Sequence, residues 1–133
     1  MVAADPGCAH HWRVRTTLFH LALAADWDPE ASDYRGSTIG RTLAEEGFIH
    51  CSTAEQVQAT ADRYYRGRSD VVLLGIDPGR VDAEIRVEGG FPHLYGPLPT
   101  AAVTSATAVA VGPGGALLIS DALGSPGRPG DGP

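Results

Sequence analysis

A chain of 133 residues, 43% hydrophobic and 20% charged, has material for one hydrophobic core, which excludes a two-domain architecture. Ten basic residues against sixteen acidic ones leave a formal charge of −6, the wrong sign for a non-specific hold on a nucleic-acid backbone. All ten basic residues are arginine; with no lysine, neither a Schiff-base mechanism nor a P-loop can be built.

In chain order, residues 1–14 read as a flexible arm. Asp5 and Pro6 interrupt the apolar run a signal peptide needs, and His10-His11 is bland sequence in a mobile segment. No later stretch holds eighteen apolar residues, so no membrane span is expected. Cys8 and Cys51 are too few for a disulfide framework and fall in no zinc-finger spacing, which suits a reducing, cytoplasmic setting. Residues 15–120 are expected to form one domain.

Thr16 to Leu23 predicts a buried strand, with Leu18, His20 and Ala22 on one face and Phe19, Leu21 and Leu23 on the other. Ala24 to Glu30 predicts a short helix. Ser32 to Gly40 is polar and turn-rich, with Tyr34 and Arg35 standing out. Thr42 to Glu46 predicts a helix stopped by Gly47. Phe48 to Cys51 predicts a brief strand with Phe48 and His50 facing the same way. Ser52 with Glu55 has the spacing of a capping box, which starts the next helix at residue 53. That helix ends at Arg66-Gly67-Arg68.

Asp70 to Ile76 is the clearest strand, closed by Asp77-Pro78-Gly79. Ala83 to Glu88 predicts another, with Glu84, Arg86 and Glu88 on one side, turned by Gly89-Gly90. Phe91, His93 and Tyr95 then share a face. Ala101 to Val111 is β-branched, and Ala116 to Ser120 predicts a last strand. From Ala122 to Pro133, seven of twelve residues are Gly or Pro, so residues 121–133 read as a disordered tail. The order predicts α+β, mostly antiparallel.

His20, His50 and His93 sit in three separate short strands. An imidazole can donate, accept or exchange a proton near neutral pH, so three could line one cleft. The competing reading is three structural histidines bonded to backbone. A three-histidine zinc site lacks HxH or HExxH spacing, and no metal is expected. Ser52 and Thr53 stand at a strand-to-helix junction, where free amides could receive an anion, or simply cap the helix. Arg66 is an anion-binding candidate beside solvated Arg63 and Arg68. Tyr95 could stack on a ring.

Five segments, LFHLALAADW, EEGFIHCSTAEQ, YYRGR, VVLLGID and FPHLYGPLP, together resemble the family called domain of unknown function 952 (DUF952), from about Leu18 to Val111. The resemblance implies a split, mostly antiparallel sheet similar to ADP-ribosyltransferases, with NAD across the cleft between the halves. It implies that His20 matches a first-strand histidine that contacts the ribose of NAD. It also matches His50, Ser52 and Thr53 to a second motif and His93 with Tyr95 to a third. Where diphtheria-toxin-type transferases carry a late glutamate, the family has the histidine-tyrosine motif instead, and Glu88 is the residue that could substitute for it. Glu88 follows Val87 where the family pattern often reads Trp-Glu.

Together these imply a nucleotide- or NAD-handling enzyme of transferase type, acting at a glycosidic or phosphoester centre. His50 and His93 would move protons; His20, Ser52, Thr53, Arg66 and Tyr95 would bind substrate. No cofactor is required, NAD entering as substrate, and the expected partner is a small molecule or nucleotide. The alternatives are a non-catalytic nucleotide-binding module, or a specialised-metabolism tailoring enzyme using the cleft for cyclisation or isomerisation.

Overall fold

The computed structural model describes residues 17–39 and 41–124. The expected arm, with His10 and His11, lies outside the described residues, as does the tail from residue 125. The architecture is α+β, built from antiparallel strands with few helices.

The first sheet joins β1 (Leu18–Leu23), β4 (Val71–Ile76) and β8 (Val103–Ala108), with β4 in the middle. The second joins β3 (Ile49–His50), β5 (Ile85–Glu88) and β6 (Phe91–Leu94), with β6 in the middle. A short ribbon pairs β2 (Asp33–Tyr34) with β7 (Leu98–Pro99). The helices are α1 (Leu43–Glu46), α2 (Val57–Tyr64) and α3 (Ile119–Gly124).

Strand alternation divides the core in two. From the first sheet, Leu18, Ala22, Leu74 and Ile76 pack against Ile49 and Leu94 of the second sheet and Tyr34 and Leu98 of the ribbon. From its other face, Leu21, Val71 and Leu73 pack against Val57 and Ala61 of α2 and Ile119 of α3. The first sheet is therefore covered on both faces, and each fully buried Leu or Ile contributes roughly 1.5–3 kcal/mol. Among the described residues no helix is long and apolar enough to cross a membrane.

Residues 49–52 carry the chain from one sheet to the other. Ile49 and His50 pair with Leu94 and His93 of β6, and the Cys51 amide donates to the Pro92 carbonyl at 3.0 Å. Proline has no N–H to return, so pairing on that side ends there. Ser52 then turns to β1, exchanging two backbone hydrogen bonds of 2.8 Å with Phe19.

That bridge corrects the expected helix start. The Ser52 amide is committed to Phe19, and the Thr53 amide donates to the Gln56 side chain at 3.0 Å. No Ser52–Glu55 capping box forms, and α2 begins at Val57, not at residue 53. A true capping box closes α1 instead, between Thr42 and Glu45, and Gly47 ends that helix at φ 88°. Three further expectations change. Ala24 to Glu30 forms only a single 3-10 turn, Ala24–Asp26. In place of a strand at Ala116 to Ser120 there is one bridge, Val111 to Leu117, before α3. Residues 121–124, assigned to the tail, belong to α3, because Ile119 is drawn into the core against α2.

Candidate functional site

Strand geometry assembles the site on the outer face of the second sheet. Ile49, Leu94 and Ile85 face the core, so His50 and His93, their neighbours in sequence, face the other way. The register sets His50 directly opposite His93, and His93 opposite Arg86. Gly89 (φ 62°) and Gly90 (φ 87°) make the tight turn that returns β5 into β6, a conformation for which two glycines are suited. The face is aromatic. Ring centroids lie 5.3 Å apart for His50–Phe91 and for His50–His93, 4.3 Å for Phe48–His93 and 5.7 Å for Phe48–Tyr95.

Where this face meets α2 there is an open cleft of about 390 Å³. His50 and Phe91 form one wall; Ala59, Thr60, Asp62, Arg63 and Tyr64 form the other. Among the described residues Tyr64 is the large hydrophobic residue most open to solvent, 43% exposed, and the Arg63 guanidinium lies 5.7 Å from its ring centre. Behind the cleft, a recess of about 10 Å³ between His20, His50, Ser52 and Thr60 is at the lower limit for one water.

The three histidines lie at or near this corner in different roles: His50 lines both the cleft and the recess, His20 the recess, and His93, beside His50 on the sheet, lines neither. His20 is buried, 3% exposed, and both ring nitrogens are used: Nδ1 lies 2.6 Å from the His50 carbonyl and Nε2 2.8 Å from the Tyr34 hydroxyl. A carbonyl only accepts, so Nδ1 carries the proton and donates to it; Nε2 then accepts from Tyr34. Burial pushes the His20 pKa down to about 4 and raises that of Tyr34. His20 thus fixes the backbone of His50 and offers no nitrogen to a ribose.

His50 is half-buried, and neither ring nitrogen is hydrogen-bonded to a described residue. Burial lowers its pKa, the neighbouring His93 lowers it further, and Glu46 opposes both. His93 is 9% exposed. Burial lowers its pKa too, against the pull of Glu88. Its Nδ1 lies 3.5 Å from Glu88 Oε1, within ion-pair range but too far for a good hydrogen bond.

The other candidates separate. Ser52 and Thr53 have committed amides, and the Ser52 hydroxyl pairs with Thr60 at 3.2 Å, so the junction holds the sheets together and leaves neither amide free for an anion. Arg66 donates to the Gly114 carbonyl at 3.0 Å and does not line the cleft; Arg63 does. Tyr95 shares the His93 face, with its hydroxyl donating to Glu88 at 2.5 Å. Cys51 is a free thiol in the core, its pKa pushed by burial up to about 12, which leaves it unreactive. Phe91 stood out in the sequence only by parity with His93, Arg63 only as a solvated neighbour of Arg66, and Thr60 gave no signal beyond helix membership. Among the described residues no group of three or more His, Cys, Asp or Glu is arranged to hold a metal.

A family model described as "Protein of unknown function (DUF952)" matches residues 22–106. The crystal structure of protein CC0527 from Caulobacter crescentus is similar at 31% identity and a TM-score of 0.72, covering 83% of this chain and 100% of that one. The solution NMR structure of CC0527 is similar at 29% identity and a TM-score of 0.61, covering 79% and 94%. No curated protein matches the chain.

Proposed function

The chain belongs to the DUF952 family, and on that footing we propose that it is a nucleotide- or NAD-handling enzyme of ADP-ribosyltransferase-like fold, cleaving or transferring at a glycosidic or phosphoester centre. His50 and His93 are its proton-moving groups. The carrying observation is that the His50 imidazole stands in the cleft wall without a hydrogen-bond partner among the described residues while His20 pins its backbone carbonyl. An imidazole so held is free for substrate and fixed in position, the two requirements of acid–base catalysis.

The rest of the lining suits a nucleotide. Phe91 and Tyr64 offer flat apolar surface to a base, and Arg63 offers a permanent cation to a phosphate. The division into two sheets joined at Ser52 supports the ADP-ribosyltransferase-like comparison. NAD enters as substrate, with no resident cofactor. The reading sets the protein in the cytoplasm, where the reduced Cys51 thiol is at home.

A crystal soaked in millimolar ADP-ribose tests this. The expected density places the base against Phe91 or Tyr64 and an oxygen within hydrogen-bond reach of His50. Density elsewhere, or none, counts against the reading.

One observation favours a second reading, a non-catalytic binding module. The Glu88 carboxylate is engaged by Tyr95 beside His93 and is not part of the cleft lining, whereas a toxin-type glutamate would have to reach a ribose hydroxyl. A binder would raise the melting temperature with NAD and release no product.

A further inference from the structure

Beside the cleft, the same sheet face holds a second set of polar groups. His93 Nδ1 is buried and is the single such side-chain polar atom without a hydrogen bond among the described residues. It faces Glu88 Oε1 at 3.5 Å. Nε2 is not among the buried, unpartnered atoms and bonds to no described residue, so it is the edge that solvent reaches. A lone pair turned toward a carboxylate is repelled and an N–H is attracted, so the proton of neutral His93 belongs on Nδ1.

Glu88 is itself held. The Tyr95 hydroxyl donates to Oε1 at 2.5 Å, Arg86 Nη1 lies 4.0 Å from Oε2, and the Arg86 guanidinium sits 5.0 Å from the centre of the Tyr95 ring. A base oriented by a carboxylate, itself fixed by a third group, is the arrangement of an activated histidine; here the same groups are in place, with Nδ1 and Oε1 3.5 Å apart and short of a hydrogen bond.

We propose that Glu88 is a positioning residue that sets His93 as a general base beside His50, and that the two imidazoles act on a phosphoester linkage. The proposal rests on the nucleotide reading of the cleft and narrows its reaction. Two imidazoles with ring centroids 5.3 Å apart resist double protonation, which favours a one-proton state. Glu88 draws that proton toward His93, and the form that displacement at phosphorus uses is the minor one with the proton on His50. Cleavage of a glycosidic bond calls for carboxylates flanking the sugar, and the carboxylate of the cleft wall, Asp62, is bonded to Gln58.

In the step, His93 Nε2 takes a proton from water as the water oxygen bonds to phosphorus. The bond from phosphorus to the leaving oxygen breaks, and protonated His50 gives its proton to that oxygen. The two histidines end with protonation states exchanged, and solvent resets them. The charged and titratable groups facing the pair are Glu88, Arg86 and Tyr95 from β5 and the end of β6, and Glu46 of α1.

The test uses the full chain, with bis(4-nitrophenyl) phosphate as probe and nitrogen-15 NMR of the imidazoles. His93 should carry its proton on Nδ1. Glu88→Gln should keep the wild-type melting temperature within a few degrees and KM within about twofold, while kcat falls roughly 10–100-fold. Its acid limb should move to lower pH, because the charge that favours protonated His93 is gone. A His93 proton on Nε2, or an unchanged kcat in Glu88→Gln, overturns the proposal. ADP-ribose binding by a wild-type protein that does not hydrolyse the probe overturns it and leaves the nucleotide reading standing. Neither binding nor hydrolysis removes both.

Discussion

His50 on β3 and His93 on β6 are a directly opposed cross-strand pair, their ring centroids 5.3 Å apart. Burial lowers the pKa of each, and His93 lowers that of His50 further. In an NMR titration both should protonate below pH 6.5, the ordinary imidazole value. Replacing His93 with Gln should raise the His50 pKa by removing a neighbouring positive charge. A His50 value unchanged in His93→Gln would show that the rings do not sense each other. Any activity needing one base and one acid from this pair should be bell-shaped in pH, with its optimum below 6.5.

His20 should govern acid stability. Its pKa is about 4 in the folded protein against 6.5 for an ordinary imidazole. Between those values the unfolded chain binds the extra proton, so stability falls as pH drops from 6.5 to 4 and the loss levels off below 4. At about 1.4 kcal/mol per pKa unit the drop is on the order of 3 kcal/mol, and His50 and His93 add slopes of the same sign. Urea unfolding across this window should show it. His20→Phe should be less stable at pH 7 yet lose most of the slope; an unaltered slope would assign it to other groups.

The Tyr34 hydroxyl is the partner that makes a buried neutral His20 affordable. Tyr34→Phe leaves Nε2 as an unpaired buried acceptor, a cost of about 1–3 kcal/mol. Gly36→Ala should act through the same bond, because a Cβ at that position would collide with the Tyr34 ring and hydroxyl. Thermal melts should therefore show both variants destabilised. The double variant should lose less stability than the two single variants added together, since each breaks the same contact.

Much of this was legible in local sequence. The alternation in FPHLY put Phe91, His93 and Tyr95 on one face, and LFHLAL gave β1 with His20 on the face of Leu18 and Ala22, though not that this face turns toward the second sheet. What pairs with what was not legible, because register is fixed by distant partners. His50 meets His93 since Ile49 and Leu94 must both enter the core, and no spacing along the chain encodes that. The motif at Ser52 misled for the same reason. Ser52-x-x-Glu55 has capping-box spacing, yet the Phe19 strand claims the Ser52 amide. Thr42 also bridges to a neighbouring segment, at Gly36, but its own amide is left to the Glu45 side chain, so Thr42-x-x-Glu45 forms the real box. Likewise Arg66 and Arg63 look equivalent in sequence, and only the turn at Arg66-Gly67, just past the end of α2, tells them apart.

That turn gives a direct contrast. Arg63 lines the cleft, whereas Arg66 holds the Gly114 carbonyl. Arg63→Ala should weaken ADP-ribose binding roughly tenfold, the cost of about one charge-assisted hydrogen bond. Arg66→Ala should leave affinity within about twofold while lowering the melting temperature slightly. Equal losses in the two variants would point to long-range charge in place of contact.

Titration calorimetry of the wild-type chain with ADP-ribose and NAD probes the central claim most directly. Saturable one-to-one binding is expected with at least one of them, together with at least a tenfold loss of affinity in His50→Ala at an unchanged fold. No heat from either ligand at millimolar concentration, or binding indifferent to His50, contradicts it.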